Sequence, residues 1–131
     1  MKKDRLLNPA ILSEVAALGH TDYLCIADCG LPIPAGVKVI DVSVTSGIPS
    51  FLDVLKAVES ELVVESYILA SEIDKANADT LHGIRGILLG KQCVKVPHEE
   101  FKKRTARAKC IIRTGETSSY ANIILVGGVN F

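Results

Sequence analysis

Apolar positions along the chain switch repeatedly between helical and strand spacing. Ile11, Val15 and Leu18 fall on one face with Leu12 beside them, which predicts a helix over about residues 9–18. Asn8 is its capping side chain, Pro9 takes the first helical position where a missing N–H is harmless, and Gly19 is read as a left-handed stop. Tyr23 to Asp28 is a short apolar strand, and Val37 to Val44 is a second with clearer alternation, separated by a loop that Pro32, Pro34 and Gly36 keep irregular. After the break at Ser46-Gly47-Ile48-Pro49-Ser50, helical spacing returns at Phe51, Leu55, Val58 and Leu62, and Val64 to Ala70 is a third strand. Asp74 to Leu89 reads as a helix, although Gly83 and Gly86 inside it cost about 1 kcal/mol each relative to alanine. Cys93 to Val96 is strand-like. Pro97 opens a helix with Glu99 and Glu100 in its first turn and Lys102, Lys103, Arg104 and Arg107 toward its end, the order that the helix dipole favours. Lys109 to Thr114 and Tyr120 to Val126 are the last two strands, joined by Gly115-Glu116-Thr117-Ser118-Ser119; a period of two puts Tyr120 and Asn122 on the same strand face.

Strands alternating with helices predict an α/β fold, a three-layer sandwich with a mainly parallel sheet and helices on both faces, with an antiparallel arrangement open to the C-terminal strands. Residues 1–131 have the size of a single domain, without repeats or a linker-like stretch.

Composition narrows the partners. Fifteen basic residues balance fifteen acidic ones, so no broad field draws in nucleic acid or an anionic membrane, and the basic helix end is read as a solvated surface. Hydrophobic residues make up 48% of the chain with no tryptophan, more apolar surface than a small domain readily hides, which points to a homo-oligomer. No signal-peptide core follows Lys2, Lys3 and Arg5, and no apolar run approaches a membrane span, so a cytoplasmic location is expected. Cys25, Cys29, Cys93 and Cys110 lack Cys-x-x-Cys spacing and are expected to be buried free thiols.

Several chemistries are excluded by missing motifs: there is no P-loop lysine, no glycine fingerprint after the first strand, no Gly-x-Ser-x-Gly elbow and no His-Glu-x-x-His helix. What remains is a set of polar residues at predicted strand ends. Asp28 lies at the carboxyl end of the first strand, where open α/β sheets bind ligands, although it could equally cap the turn at Gly30. His20 precedes the same strand. The run from Tyr23 to Asp28 spans about 17–20 Å at about 3.3 Å per residue, so one copy of the chain struggles to bring His20 and Asp28 together, whereas a site between subunits would unite them.

At these residues the sequence resembles the D-ribose pyranase family, relatives of the fucose mutarotases. The resemblance runs through Leu7-Asn8, Gly19-His20-Thr21-Asp22, Ile26-Ala27-Asp28, Gly30-Leu31-Pro32-Ile33-Pro34, Pro97-His98-Glu99-Glu100-Phe101, Arg113-Thr114-Gly115-Glu116, Tyr120-Ala121-Asn122 and Gly128-Val129. It implies that His20 is the catalytic proton donor and that Asp28, His98, Tyr120 and Asn122 bind the sugar; Asp22 is expected to orient His20 from behind. It also implies a ring-shaped homo-oligomer such as a decamer, with sites at subunit interfaces. Cys29 stands where many members of that family have alanine.

The implied substrate is D-ribose, and the implied reaction exchanges its β-pyranose and β-furanose forms through ring opening and reclosure. Positioned acids and bases suffice for this, with no cofactor and no metal, and histidine titrates near working pH. A fucose mutarotase and a non-catalytic monosaccharide-binding protein are the alternatives.

Overall fold

A computed structural model describes all 131 residues, Met1–Phe131. Helix α1 (Pro9–Ala17) starts as its sequence dictates: Asn8 Oδ1 accepts the Ile11 N–H at 3.0 Å, and Pro9 opens the first turn. Its end differs from expectation. The chain leaves through an extended Leu18, and the left-handed residue in the following turn is Thr21 at φ 68°, not Gly19. Asp22 Oδ2 accepts the Gly19 N–H at 2.9 Å, and a Cβ on Gly19 would lie 3.3 Å from that oxygen, so close approach of the carboxylate is what Gly19 accommodates.

Strand β1 (Tyr23–Ala27) follows, then β2 (Lys38–Asp41), α2 (Phe51–Glu59) and β3 (Val64–Ala70). The helix expected over 74–89 is two, α3 (Ile73–Ala76) and α4 (Ala78–Ile87). Asn77 separates them by turning to φ −152°, ψ 61°, which lets its side chain cap Thr80 and also donate to Ser118 Oγ and the Ser119 carbonyl, each at 2.9 Å. Gly83 is tolerated within α4 because the helix packs against α2 there; a Cβ would meet Leu52 Cδ1 at 2.6 Å. Strand β4 (Gln92–Val96), helix α5 (His98–Thr105), β5 (Ala108–Arg113) and β6 (Ile123–Gly127) complete the chain.

The sheet runs β2-β5-β1-β6-β3-β4. Strand β6 is antiparallel to both its neighbours, β1 and β3, while every other pairing is parallel. The antiparallel element at the C-terminus is therefore one strand inserted at the centre, with β1 between it and β5. Period two divides β1 cleanly: Leu24 and Ile26 join the larger core with residues of α1, α2, α3 and α4, while Cys25 and Ala27 join a smaller core with Phe101 of α5. Helices thus cover both faces, unequally. Cys25 and Cys110 are buried, Cys93 is half-buried and Cys29 is exposed, so the expectation of buried thiols fails at Cys29, which follows β1 in the loop instead of lying in the strand. All four are free.

Because the five parallel strands share one direction, their carboxyl ends gather along one edge with the start of β6, and the opposite edge collects the start of β1 and the end of β6. The segment 114–122 crosses the first edge and is locked into it. Gly115 N–H donates to the Pro49 carbonyl at 2.9 Å, and its carbonyl accepts the Gly47 N–H at 2.6 Å. A Cβ on Gly115 would lie 2.4 Å from the Ile48 carbonyl oxygen and 2.6 Å from that of Thr45, backbone atoms that cannot swing aside. Gly115→Ala is expected to cost about 2 kcal/mol as an overpacking change, read as a lowered urea midpoint.

Candidate functional site

At the carboxyl edge, Asp28 and Asn122 form a reciprocal pair across the β1–β6 boundary. Asp28 N–H donates to Asn122 Oδ1 at 2.8 Å, and Asn122 Nδ2 donates to Asp28 Oδ2 at 2.9 Å. Asn122 is buried, so each of these groups would be costly to leave unpaired. Asp28 Oδ1 accepts the Gly30 N–H at 2.9 Å; the turn-capping role is real and coexists with the pairing to Asn122. An amide is required at 122, because one end must accept and the other donate.

Tyr120 and Asn122 reach this edge by a route that the strand pattern does not describe. Neither belongs to β6, which begins at Ile123. Tyr120 has φ 57°, and the Asn122 N–H folds back onto the Tyr120 carbonyl at 2.9 Å, so the two residues sit in a tight turn before the strand. The expectation that they share a strand face is corrected: the turn sends Asn122 inward to Asp28 and leaves Tyr120 half-buried at the surface. Its ring meets His98 edge-on at 5.1 Å and 81°. His98, first residue of α5, also stacks on Phe101 at 6.4 Å, and its Nδ1 is buried with no hydrogen-bond partner. Asp28, Gly30, Leu31, His98, Ser119 and Tyr120 line an open cleft of about 320 Å³, at the lower end of the range for small-molecule sites.

His20 lies at the other edge of the sheet. Its Nε2 is 2.9 Å from Glu65 Oε1, both side chains being about half exposed. A hollow of about 330 Å³ surrounds it, lined by Leu18, Val63, Gly128 and Phe131 among others. Asp22 makes no hydrogen bond to the ring. Its carboxylate is occupied by the Gly19 N–H, so it shapes the turn that carries His20, and the carboxylate at the imidazole is that of Glu65. The four other candidates gather in one place, and His20 does not join them within one copy. No group of three or more His, Cys, Asp or Glu side chains is placed to hold a metal ion.

Glu116 is a structural residue that sequence reading quoted without giving it a role. Its Oε1 accepts the Phe51 N–H at the start of α2 (3.0 Å), and its Oε2 accepts the N–H groups of Thr117 (3.2 Å) and Ser118 (3.1 Å). Its carbonyl takes the Cys29 N–H at 2.9 Å, tying the Asp28 turn to the same loop. Burial disfavours the charge, but the bonds from Phe51, Ser118 and Thr117 outweigh it and hold the carboxyl below its ordinary value.

Comparison with known proteins finds relatives over the whole chain. The model of the RbsD / FucU transport protein family matches residues 1–130. A D-ribose pyranase of Bacillus cereus (strain 03BB102) is 52% identical over 131 residues, and one of Laribacter hongkongensis (strain HLHK9) is 48% identical over 131 residues, each alignment covering the whole of both chains. The structure of Bacillus subtilis RbsD complexed with D-ribose superposes with a TM-score of 0.97 at 43% identity, covering all of both chains. The fucose mutarotase of Streptococcus pneumoniae in complex with L-fucose shares the fold at a TM-score of 0.80 and 24% identity, over 95% of this chain and 94% of that one.

Because the Glu116 carboxyl is lowered in the folded state, its contribution is complete above the ordinary carboxylate value near 4.5 and is lost as pH falls through the folded value. Wild-type stability, followed by urea unfolding from pH 6 to about pH 3, is therefore expected to fall more steeply with acid than that of Glu116→Gln, which is less stable at pH 6.

Proposed function

The chain belongs to the RbsD / FucU transport protein family, and from that premise we propose that it is an intramolecular isomerase interconverting the β-pyranose and β-furanose forms of D-ribose. The observation that carries this reading is full-length identity of about half to D-ribose pyranases, on a backbone matching a D-ribose complex at a TM-score of 0.97. The fucose mutarotase is a more distant relative and supports the fold alone.

The chemistry requires only proton transfers. Opening the pyranose breaks the bond from the anomeric carbon to the C5 oxygen: the anomeric hydroxyl loses a proton as the carbonyl forms, and the departing ring oxygen gains one. Reclosure forms a bond from the C4 oxygen to the same carbon, with that hydroxyl losing its proton and the carbonyl oxygen gaining one. His20 protonates the departing C5 oxygen as general acid and takes the C4 hydroxyl proton as base on reclosure, while solvent water accepts the anomeric proton on opening and returns one to the carbonyl oxygen. An imidazole suits both steps because its unperturbed pKa is about 6.5. Asp28 accepts bonds from sugar hydroxyls, its orientation set by Asn122 and Gly30. His98 lines the cleft beside Asp28, which supports a role for that ring in hydrogen bonding to the sugar, and Tyr120 closes the same wall. No cofactor takes part in this scheme.

The working unit is a homo-oligomer in which His20 of one subunit faces the Asp28 cleft of the next, in a ring such as a decamer. Two features support it. His20 and Asp28 occupy opposite edges of one sheet, and the hollow around His20 carries exposed Val63, Val129 and Phe131, apolar surface suited to a neighbour. No helix is long and apolar enough to cross a membrane, and we assign the whole chain, 1–131, to one cytoplasmic domain.

Saturation-transfer NMR on D-ribose tests the reading. Wild-type protein is expected to exchange pyranose and furanose signals faster than buffer, and His20→Ala to slow that exchange by about a hundredfold or more. Ribose exchange at the buffer rate with wild-type protein, alongside accelerated anomer exchange of fucose, would instead make it a fucose mutarotase; binding without acceleration of either would make it a sugar-binding protein.

A further inference from the structure

Helix α5 begins without a cap of its own. Pro97 occupies the capping position and has no side-chain acceptor, so the first N–H groups must find partners elsewhere. The partner of His98 comes from 26 residues earlier: both carboxylate oxygens of Glu72 accept the His98 N–H, at 3.0 and 3.1 Å. Sheet register explains how they meet. Ala70 of β3 is paired with Val96 of β4, the Ser71 N–H extends the ladder to the Val96 carbonyl at 2.8 Å, and the next step brings Glu72 level with His98.

Glu72 is committed to this contact. It directly precedes α3, yet its side chain makes no cap to that helix. Burial works against its charge, but its own N–H, the His98 N–H and the Ser71 hydroxyl outweigh that and keep the carboxyl below its ordinary value, so an anion stands at the start of α5 at neutral pH. It lines a second hollow, with Ser71 and Lys75, that Tyr120 also borders. Tyr120 therefore stands between Glu72 on one side and the sugar cleft on the other.

We propose that Glu72 is a positioning residue for sugar binding, which fixes the backbone of His98 so that the imidazole is held between Phe101 and Tyr120 facing the Asp28 cleft. The proposal rests on the ribose reading for its substrate. Glu72 acts through His98 and does not contact the sugar. A loosened α5 start would let the imidazole leave the position defined by its 5.1 Å edge contact with Tyr120 and its 6.4 Å stack on Phe101. The loss falls on affinity, because His98 is a binding group and the proton donor of the same site, His20 of the neighbouring subunit, is not carried by α5.

The test uses the full-length oligomer with D-ribose as probe. Glu72→Ala raises the ribose dissociation constant by about tenfold, as expected for losing a charged hydrogen bond, while the exchange rate at saturating ribose stays within about twofold. The His98 amide resonance moves upfield as the carboxylate leaves. Glu72→Gln keeps the length and one acceptor oxygen, stands in if the alanine variant fails to fold, and gives intermediate affinity and an intermediate amide shift. Wild-type affinity in Glu72→Gln despite a shifted His98 amide overturns the proposal, as does an unshifted amide, or a fall in saturated exchange rate with affinity retained. Wild-type protein that neither binds nor exchanges ribose overturns the ribose reading instead, and the amide shift then still reports whether Glu72 holds the helix end.

Discussion

The Asp28–Asn122 pair is the interaction on which the carboxyl edge depends. It closes β1 and starts β6 with two reciprocal hydrogen bonds, one of them using the Asp28 backbone. A strand that enters the middle of a parallel sheet from its carboxyl edge must run antiparallel to both neighbours, and β6 does so between β1 and β3. The buried Asn122 amide fixes where that strand begins. The same pair leaves the Asp28 carboxylate preorganised, held on one oxygen by the amide and on the other by the Gly30 N–H. Fold and the geometry of the proposed binding cleft therefore share a single contact.

Around that contact the edge is stiffened by carboxylates that bond backbone N–H groups. Glu116 joins the start of α2 to the 116–118 loop, and Asn77 reaches the same loop through Ser118 and Ser119. Glu72 does for α5 what Glu116 does for α2. Both carboxyls are held below their ordinary values although burial, the largest single influence, opposes their charge; the donated hydrogen bonds outweigh it together. The cleft is consequently built on fixed backbone, which under the proposed reading limits the ordering that a small sugar has to impose there.

Local pattern made much of this legible and tertiary pairing hid the rest. The Asn8-Pro9 start of α1, the buried run of β1 and the apolar face of α2 follow from residues within a few positions of one another. The resemblance quoted for the sequence supplied the family, and the position of His20 before β1 with Asp28 after it was readable from strand length. Periodicity failed at Tyr120 and Asn122, because an apolar run does not reveal that its first polar residues turn at φ 57° to serve a strand far away in sequence. It failed at Gly19 because the left-handed backbone went to Thr21 instead. Glu65, Glu72 and Glu116 carried no signal, since their partners lie 45, 26 and 65 residues away. Only the sheet order brings them together.

The central claim is that each site is shared, with His20 given by one subunit and the Asp28 cleft by its neighbour. Mixing two variants measures it most directly: His20→Ala and Asp28→Ala are dissociated, combined in equal amounts and reassembled, and ribose exchange is followed by saturation transfer. Random reassembly restores intact sites at about a quarter of the wild-type number, so exchange returns to about that level from two inactive parents. Exchange that stays at the level of the separate variants, in a mixture shown to have reassembled, would mean that His20 and Asp28 do not act across subunits.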